Sequence, residues 1–528
     1  MSEHYDICIV GSGAGGGPVA LALSEAGYSV LVLEKGPWFT EQEFYKDELA
    51  CCKRSVYTPK LKDEQHVIED AGKDGWEVTP TSESGWDFWN GSCVGGATNF
   101  MSGFFYRLKP DDFRLQSSFG EIQGANVADW PISYEELEPY YTKTESEVGI
   151  SGHVVGHKFS EPRSTKEFPY PPTAEHPIAK KIDSACTELN FQSLQTPRAV
   201  LPYADKGRRG CEYSGFCGSY GCSSGAKGSS RAALLNRAIA TGRCEIRPHA
   251  KVFHLESDQT GRVTAANYFD ENNSRQKAAA NLFVVACHAI ETSRLLLLST
   301  GPKHPNGLGN QHGQVGKNLV FSAGSTGSGD FVYSKLSKKD AELMKMRGPF
   351  VNRGLQDWYF IDDSRFGGRA KGGTIDFLLR HPNAISRASA QKWDDDDKLV
   401  WGKTLQDKLK SAMTETQTLR FEVFCDWLPT DDCFVSLDPK VKDKWGAPVA
   451  RVRIGYHQHD LKVAEFLTEK AEQVFRQMGA ENLRSTVSGS PPANLVAVGC
   501  RFVNDPNTVA MNAVLHVQSA ATLNVTDD

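Results

Sequence analysis

At 528 residues the chain is longer than a single hydrophobic core normally supports, so two domains are expected. Hydrophobic residues make up 40% and charged residues 23%, the ordinary balance of a folded, water-soluble protein. The formal charge of −6, with no basic stripe, argues against nucleic acid or an anionic membrane as the main partner.

The N-terminus carries neither a basic start nor a cleavage site, so no export signal is read there. No stretch approaches the ~18 apolar residues that would span a bilayer. The sequence therefore predicts no direct membrane span, and a cytoplasmic location or a periplasmic one reached with an exported partner. Tyr5–Val10 is a β-rich apolar run, followed by G-S-G-A-G-G from Gly11 to Gly16. A small-residue helix is predicted over Pro18–Ala26, with Gly27 as its stop, then a second β run at Tyr28–Leu33 ending on Glu34. Strand, helix and strand in this order predict a right-handed parallel βαβ unit.

The glycines give that unit a chemistry. Gly11 permits the tight turn, Gly13 lets backbone approach a pyrophosphate, and Gly16 lets helix pack on strand. The phosphates would lie at the helix N-terminus, where free N–H groups and the dipole favour anions. Glu34 is placed to accept hydrogen bonds from ribose hydroxyls, and an acid there disfavours the 2′-phosphate of NADP. The motif alone does not separate FAD from NAD.

Further along, Cys51–Asp87 is polar and turn-rich, and Val94–Thr98 is again glycine-rich. From Asp111 to about Ala204 the chain is rich in proline and aromatic residues, with a helix from about Pro177 to Leu189. Cys211, Cys217 and Cys222 are spaced C-x5-C-x4-C among glycines, while the other thiols are mostly scattered as reduced core residues would be. Three thiolates so close can converge on a soft metal centre; plain thiols, or a Cys211–Cys217 disulfide, are the other readings. A helix is predicted at Arg231–Ala240, strands near Cys244–His249, Val263–Tyr268 and Asn281–Cys287, and a helix at Ile290–Leu298. Gly324 to about Gly455 reads as a largely antiparallel sheet with irregular loops, Asp394–Lys398 as a solvated loop, and Leu461–Met478 as a long amphipathic helix.

The run V-G-G-A-T-N-F-M-S-G-F-F-Y-R-L-K-P-D-D-F, from Val94 to Phe113, resembles the second flavin-contacting signature of the glucose–methanol–choline oxidoreductases. Collinear stretches agree at Ala286–Ser299, Gly313–Leu319, Asp505–Val509 and the terminal L-N-V-T-D-D. The resemblance implies FAD, held by Gly95, Gly96, Thr98 and Asn99, by the backbone of Val252 at the adenine, and by Asp527 near the flavin phosphates. It implies an α/β Rossmann-type FAD-binding domain interleaved with an α+β substrate domain built on an antiparallel sheet. The segments would be 1–110 (FAD domain, first part), 111–204 (substrate or cap region), 205–322 (cysteine insert and return to the FAD domain), 323–490 (substrate domain) and 491–528 (a short C-terminal FAD segment).

The cysteine insert is similar to one that holds a 3Fe-4S cluster in the FAD subunit of bacterial membrane-linked sugar dehydrogenases. That similarity implies a cluster on Cys211, Cys217 and Cys222, a small subunit, and a cytochrome c acceptor. Its spacing is longer here, and Ser214 stands where a further Cys would be. The catalytic end departs from the family. L-V-A-V-G-C-R-F puts Leu495 at the position of the proton-accepting His and Phe502 at the Met, and a second partner is expected beyond Asp528. His457 and His459 read as surface residues and His516 as a strand position. His288 replaces a residue usually Gly. A catalytic base is thus unassigned, and low turnover of the chain is expected.

The resulting expectation is FAD-dependent oxidation of a sugar or polyol hydroxyl, with electrons passed through the cluster to a protein acceptor. The alternatives are a degenerate member that binds FAD or a partner with little alcohol oxidation, and an oxygen-using oxidase.

Overall fold

The computed structural model describes residues 4–525 apart from 46–47, 49–60, 62–63, 73–74, 87, 89–90, 323, 395, 397, 488–494, 498, 502–509 and 512–521. Asp527, Phe502, His516 and the Asp505–Val509 run lie outside the described residues.

The opening βαβ unit is formed by strand His4–Val10, helix Gly16–Glu25 and strand Val30–Leu33. The strands pair in parallel, with Ile7 beside Val30 and Val10 beside Leu33. Ile7–Val10 and all of Val30–Leu33 are buried, as expected of strands covered on both faces. Among the described residues they belong to a seven-stranded sheet. Its parallel part takes in Cys244–Arg247, Arg275–Val285 and Leu523–Val525. Lys251–Ser257, Val263–Phe269 and Arg275–Val285 form an antiparallel meander on its other side.

A second, six-stranded sheet is antiparallel throughout. Its order is Glu481–Val487, Ser325–Val332, Thr416–Cys425, Gly373–Leu379, Arg353–Leu355 and Ser193–Gln195. The two sheets thus alternate along the chain, giving the α/β Rossmann-type fold interleaved with an antiparallel sheet.

Thr416–Cys425 alternates strictly between buried and half-buried positions. Leu419, Phe421, Val423 and Cys425 join Ile375 and Phe377 in a core against helix Gln458–Gln477, which contributes Phe466, Leu467, Val474 and Phe475. The helix caps itself: Asp460 accepts from the His457 N–H at 3.0 Å, and the His457 ring accepts from the His459 N–H at 3.1 Å. The opposite face of the sheet is left for the cavity described below. Where one helix was expected at Arg231–Ala240, the chain makes a wider π turn over Ser230–Leu235 before an α-helix at Asn236–Ala240. At Asp394–Lys398 the Asp394 carboxylate accepts from the N–H groups of Asp396 and Lys398, an exposed turn. Among the described residues no helix is long and apolar enough to cross a membrane.

Candidate functional site

The first glycine turn divides its labour as its three positions require. Gly11 has φ +98°, and a Cβ there would lie 2.0 Å from the Ala286 carbonyl oxygen. A Cβ on Gly16 would lie 2.1 Å from the Gly11 carbonyl oxygen. Both must be glycine for the protein itself to close. Gly13 differs, because a Cβ there meets nothing within 4 Å. It faces open space at the start of a helix with no acidic residue in its first turn and no side-chain cap.

Glu34 is buried at the end of its strand. It accepts from Ser12 N at 3.2 Å, from Ser12 Oγ at 2.6 Å and from Gly36 N at 2.9 Å. Burial raises its carboxyl above the ordinary range, against those hydrogen bonds. Its first role in the fold is therefore to hold the turn, since Ser12 Oγ also accepts from Gly95 N at 3.0 Å. The second glycine turn consequently sits on the first: a Cβ on Gly96 would lie 3.1 Å from Gly13 Cα. Thr98 donates to the Gly95 carbonyl at 2.5 Å and accepts from Ser230 N at 2.9 Å. Asn99 is buried, its amide donating to the carbonyls of Val94 at 3.0 Å and Gly96 at 3.1 Å. The side chains of Thr98 and Asn99 thus shape the turn. Val252 lies two residues beyond Ala250, whose N–H donates to the Glu34 carbonyl at 2.8 Å, and packs against the core of the seven-stranded sheet.

Gly11, Gly13, Gly16, Glu34, Gly95, Gly96, Thr98 and Asn99 thus belong to two glycine turns packed on each other. An open glycine flanked by two obligatory ones, beside an uncapped helix start, suits a pyrophosphate, so these residues fit a bound dinucleotide such as FAD.

Directly after the second turn, Met101–Tyr106 runs into a cavity of about 490 Å³. The free face of the antiparallel sheet forms one wall, including Thr374, Asp376, Arg420 and Glu422. Arg198 crosses between the rings of Phe104 and Phe350, 4.5 Å from each centroid, and bonds Asn352 Oδ1 and the Ser102 carbonyl. Leu495, which the resemblance sets at the base position, lines this cavity at φ +55° and 48% exposure. His288 stands at the N-terminus of helix Ala289–Leu298, with φ +71° in place of a glycine. Burial and the nearby His66 lower it to about 4, so it is neutral.

The cysteine insert gives the cluster expectation no support. Cys211, Cys217 and Cys222 line the same cavity, but all three are free thiols, and among the described residues no group of three His, Cys, Asp or Glu is gathered to hold a metal ion. The insert closes instead around an amine: Lys227 Nζ donates to the carbonyls of Tyr220 at 2.8 Å, Cys217 at 3.0 Å and Asn99 at 3.2 Å. A cation held by three carbonyls thus ties the insert to the second glycine turn. Sequence reasoning also missed Tyr106, Arg198, Asp376 and Glu422. The available signal was polar residues at alternate positions of otherwise apolar strands, T-I-D-F-L-L and L-R-F-E-V-F.

A family profile described as GMC oxidoreductase matches residues 75–322. The chain is 29% identical over 525 residues to a 2-methyl-1,2-propanediol dehydrogenase of Mycolicibacterium austroafricanum, covering 97% of this chain and 88% of that protein. It is 23% identical over 563 aligned positions to the gluconate 2-dehydrogenase flavoprotein of Pantoea cypripedii, covering 97% and 87%. The crystal structure of pyridoxine 4-oxidase from Mesorbium loti shares the fold, with a TM-score of 0.58, 15% identity, and coverage of 99% of this chain and 94% of that one.

Proposed function

The chain is an oxidoreductase carrying a GMC domain, and from that premise we propose that it binds FAD and oxidises a hydroxyl group of a sugar or polyol. One observation carries the reading. The open cradle at Gly13, roofed by Gly96, is joined by the four residues Ala97–Phe100 to a polar-walled cavity large enough for a small polyhydroxylated molecule. Gly11, Gly13, Gly16, Gly95 and Gly96 would hold the dinucleotide by backbone, with Glu34 and Val252 toward its ribose and adenine. Bound FAD supplies a two-electron acceptor for the carbinol C–H. The chain's own part is to bind, orient and keep water out. The Phe104–Arg198–Phe350 stack fixes one cationic wall, and Phe424 and Leu378 add apolar surface among the polar residues of the sheet wall.

No step is routed through an iron–sulfur cluster, because the three thiols do not form a metal site among the described residues. Membership of a protein relay with a small subunit and cytochrome therefore has only the likeness to sugar-dehydrogenase subunits behind it. A second reading, FAD binding with little alcohol oxidation, draws on Leu495, since an alkyl side chain at the cavity accepts no proton.

The test is purification with added FAD, followed by dye-linked turnover and oxygen consumption on a panel of aldoses, sugar acids, polyols and simple alcohols. Turnover with dye but not oxygen marks a dehydrogenase, and equal rates mark an oxidase. Retained flavin without turnover supports the second reading. Protein that keeps no flavin overturns both.

A further inference from the structure

Oxidising a hydroxyl requires somewhere for its proton to go, and Leu495 cannot take it. Asp376 stands in the middle of strand Gly373–Leu379, between Ile375 and Phe377, which point into the helix-covered core. Its own side chain points the other way, into the cavity wall, and the residue is 1% exposed. One carboxylate oxygen is fully engaged: Oδ1 accepts from the Tyr106 hydroxyl at 2.7 Å and from Thr196 Oγ1 at 3.3 Å. The other, Oδ2, is buried without a hydrogen-bond partner among the described residues. An unpaired buried carboxylate oxygen costs about 1–3 kcal/mol or more, so a fold does not keep one idly.

The neighbourhood is built to admit this carboxylate. Gly354 lies opposite Asp376 in register, and a Cβ on it would come within 2.8 Å of Oδ1 and 3.0 Å of the Tyr106 oxygen. On the other flank Glu422 is the direct cross-strand partner, with Arg420 two residues before it. Arg198 supplies a positive charge from the adjoining segment, and Arg380 and His381 line the cavity just past the end of the same strand.

We propose that Asp376 is a catalytic residue whose Oδ2 accepts the proton of the substrate hydroxyl, an assignment that rests on the hydroxyl-oxidation reading above. The substrate O–H bond breaks with its proton passing to Oδ2. The hydrogen on the same carbon leaves with its bonding pair to the flavin oxidant, and a C=O bond forms. Atoms and electrons balance, with substrate oxidised and flavin reduced by two electrons. Burial raises the Asp376 carboxyl to about 7, against the pull of Tyr106 and Arg198, so a proton acceptor is present at neutral pH.

The experiment uses the FAD-loaded full chain and Asp376→Asn, an isosteric change whose flavin occupancy reports correct folding. Wild-type kcat/KM should rise with pH through an inflection near 7. Asp376→Asn should lose that inflection and fall by roughly 10²–10⁴-fold. Tyr106→Phe removes a hydrogen bond that favours the carboxylate and should move the inflection upward. A variant that merely weakens KM, with the inflection intact, overturns the proposal, as does unchanged turnover.

A second readout needs no turnover. Infrared difference spectra across pH should show a buried carboxylic C=O band titrating near 7, absent in Asp376→Asn and shifted when sorbitol is added. A missing band, or one that sorbitol leaves unmoved, also overturns the proposal. Wild type that oxidises nothing on the panel yet shows the shifted band defeats the oxidation reading and with it the catalytic role, leaving Asp376 as a polyol-binding group.

Discussion

Replacing Gly11 and Gly13 separately by alanine distinguishes a glycine that the fold needs from one that a ligand needs. At Gly11 the new Cβ would sit 2.0 Å from the Ala286 carbonyl oxygen, on backbone at φ +98°. The backbone conformation costs about 1–2 kcal/mol and the overpacking about 1–3 kcal/mol, so a loss of roughly 2–5 kcal/mol is expected. Neither neighbour can yield cheaply, because Ala286 N–H is bonded to the Val10 carbonyl at 2.7 Å and Gly11 N–H to the Leu33 carbonyl at 2.9 Å. At Gly13 the Cβ meets nothing within 4 Å, and the residue lies outside the positive-φ set. Gly13→Ala should therefore leave the flavin-free protein unchanged or more stable by about 0.4–1 kcal/mol, through the unfolded chain. Gly13→Val fills the cradle and should weaken FAD binding at least tenfold, about 1.4 kcal/mol. Urea unfolding of flavin-free protein and flavin absorbance after desalting read the two effects apart. Equal destabilisation by both alanines, or full flavin occupancy in Gly13→Val, would refute the reasoning.

Three further outcomes are expected. Because Asp376 is raised from 3.8 to about 7, the folded state keeps a proton that the unfolded state releases between those values. Its contribution to stability is then present at low pH and lost as pH rises to about 7. Between pH 5 and 8 the stability difference between wild type and Asp376→Asn should move against wild type by about 2–3 kcal/mol, and a constant difference in paired urea melts would count against the raised pKa. Arg107, with 1% of its side chain exposed, bonds both oxygens of buried Glu145 at 2.7 and 2.8 Å and Glu138 at 2.9 Å. Arg107→Met should cost about 3 kcal/mol by chemical denaturation, Arg163 still compensating part of the Glu145 charge; a loss below about 1 kcal/mol would show the carboxylate rehydrated. Burial pushes the Cys222 thiol up, but Lys227 and Ser224 outweigh it and bring it below its ordinary value, whereas burial takes Cys211 to about 12. Cys222 should thus alkylate at least tenfold faster than Cys211 at pH 8 by peptide mapping, and equal rates would remove the role given to Lys227.

What the sequence made legible was local or periodic. The Gly11–Gly16 turn, its flanking strands and Glu34 occupy thirty consecutive residues, and each glycine's steric duty follows from backbone geometry alone. The antiparallel sheet and the long helix after His457 were readable because burial repeats every second or every third to fourth residue. The cavity was not readable, because its polar wall is assembled from afar. Asp376 meets Tyr106 across 270 residues and Thr196 across 180, and no spacing rule links them. The thiols show the opposite limit. Their proximity in sequence was real, but what fills the loop is the amine of Lys227, which spacing alone does not reveal.

The antiparallel sheet separates two kinds of inheritance. Ile375, Phe377, Leu419, Phe421 and Val423 carry the packing against the long helix, and truncating any of them costs about 2–5 kcal/mol. Thr374, Leu378, Arg420 and Phe424 on the reverse face carry almost none of that load. Drift in substrate preference can therefore accumulate at every other residue of the same strands while the scaffold stays fixed. Substitutions on the cavity face of this sheet are therefore expected to change what the cavity admits without first requiring a more stable protein.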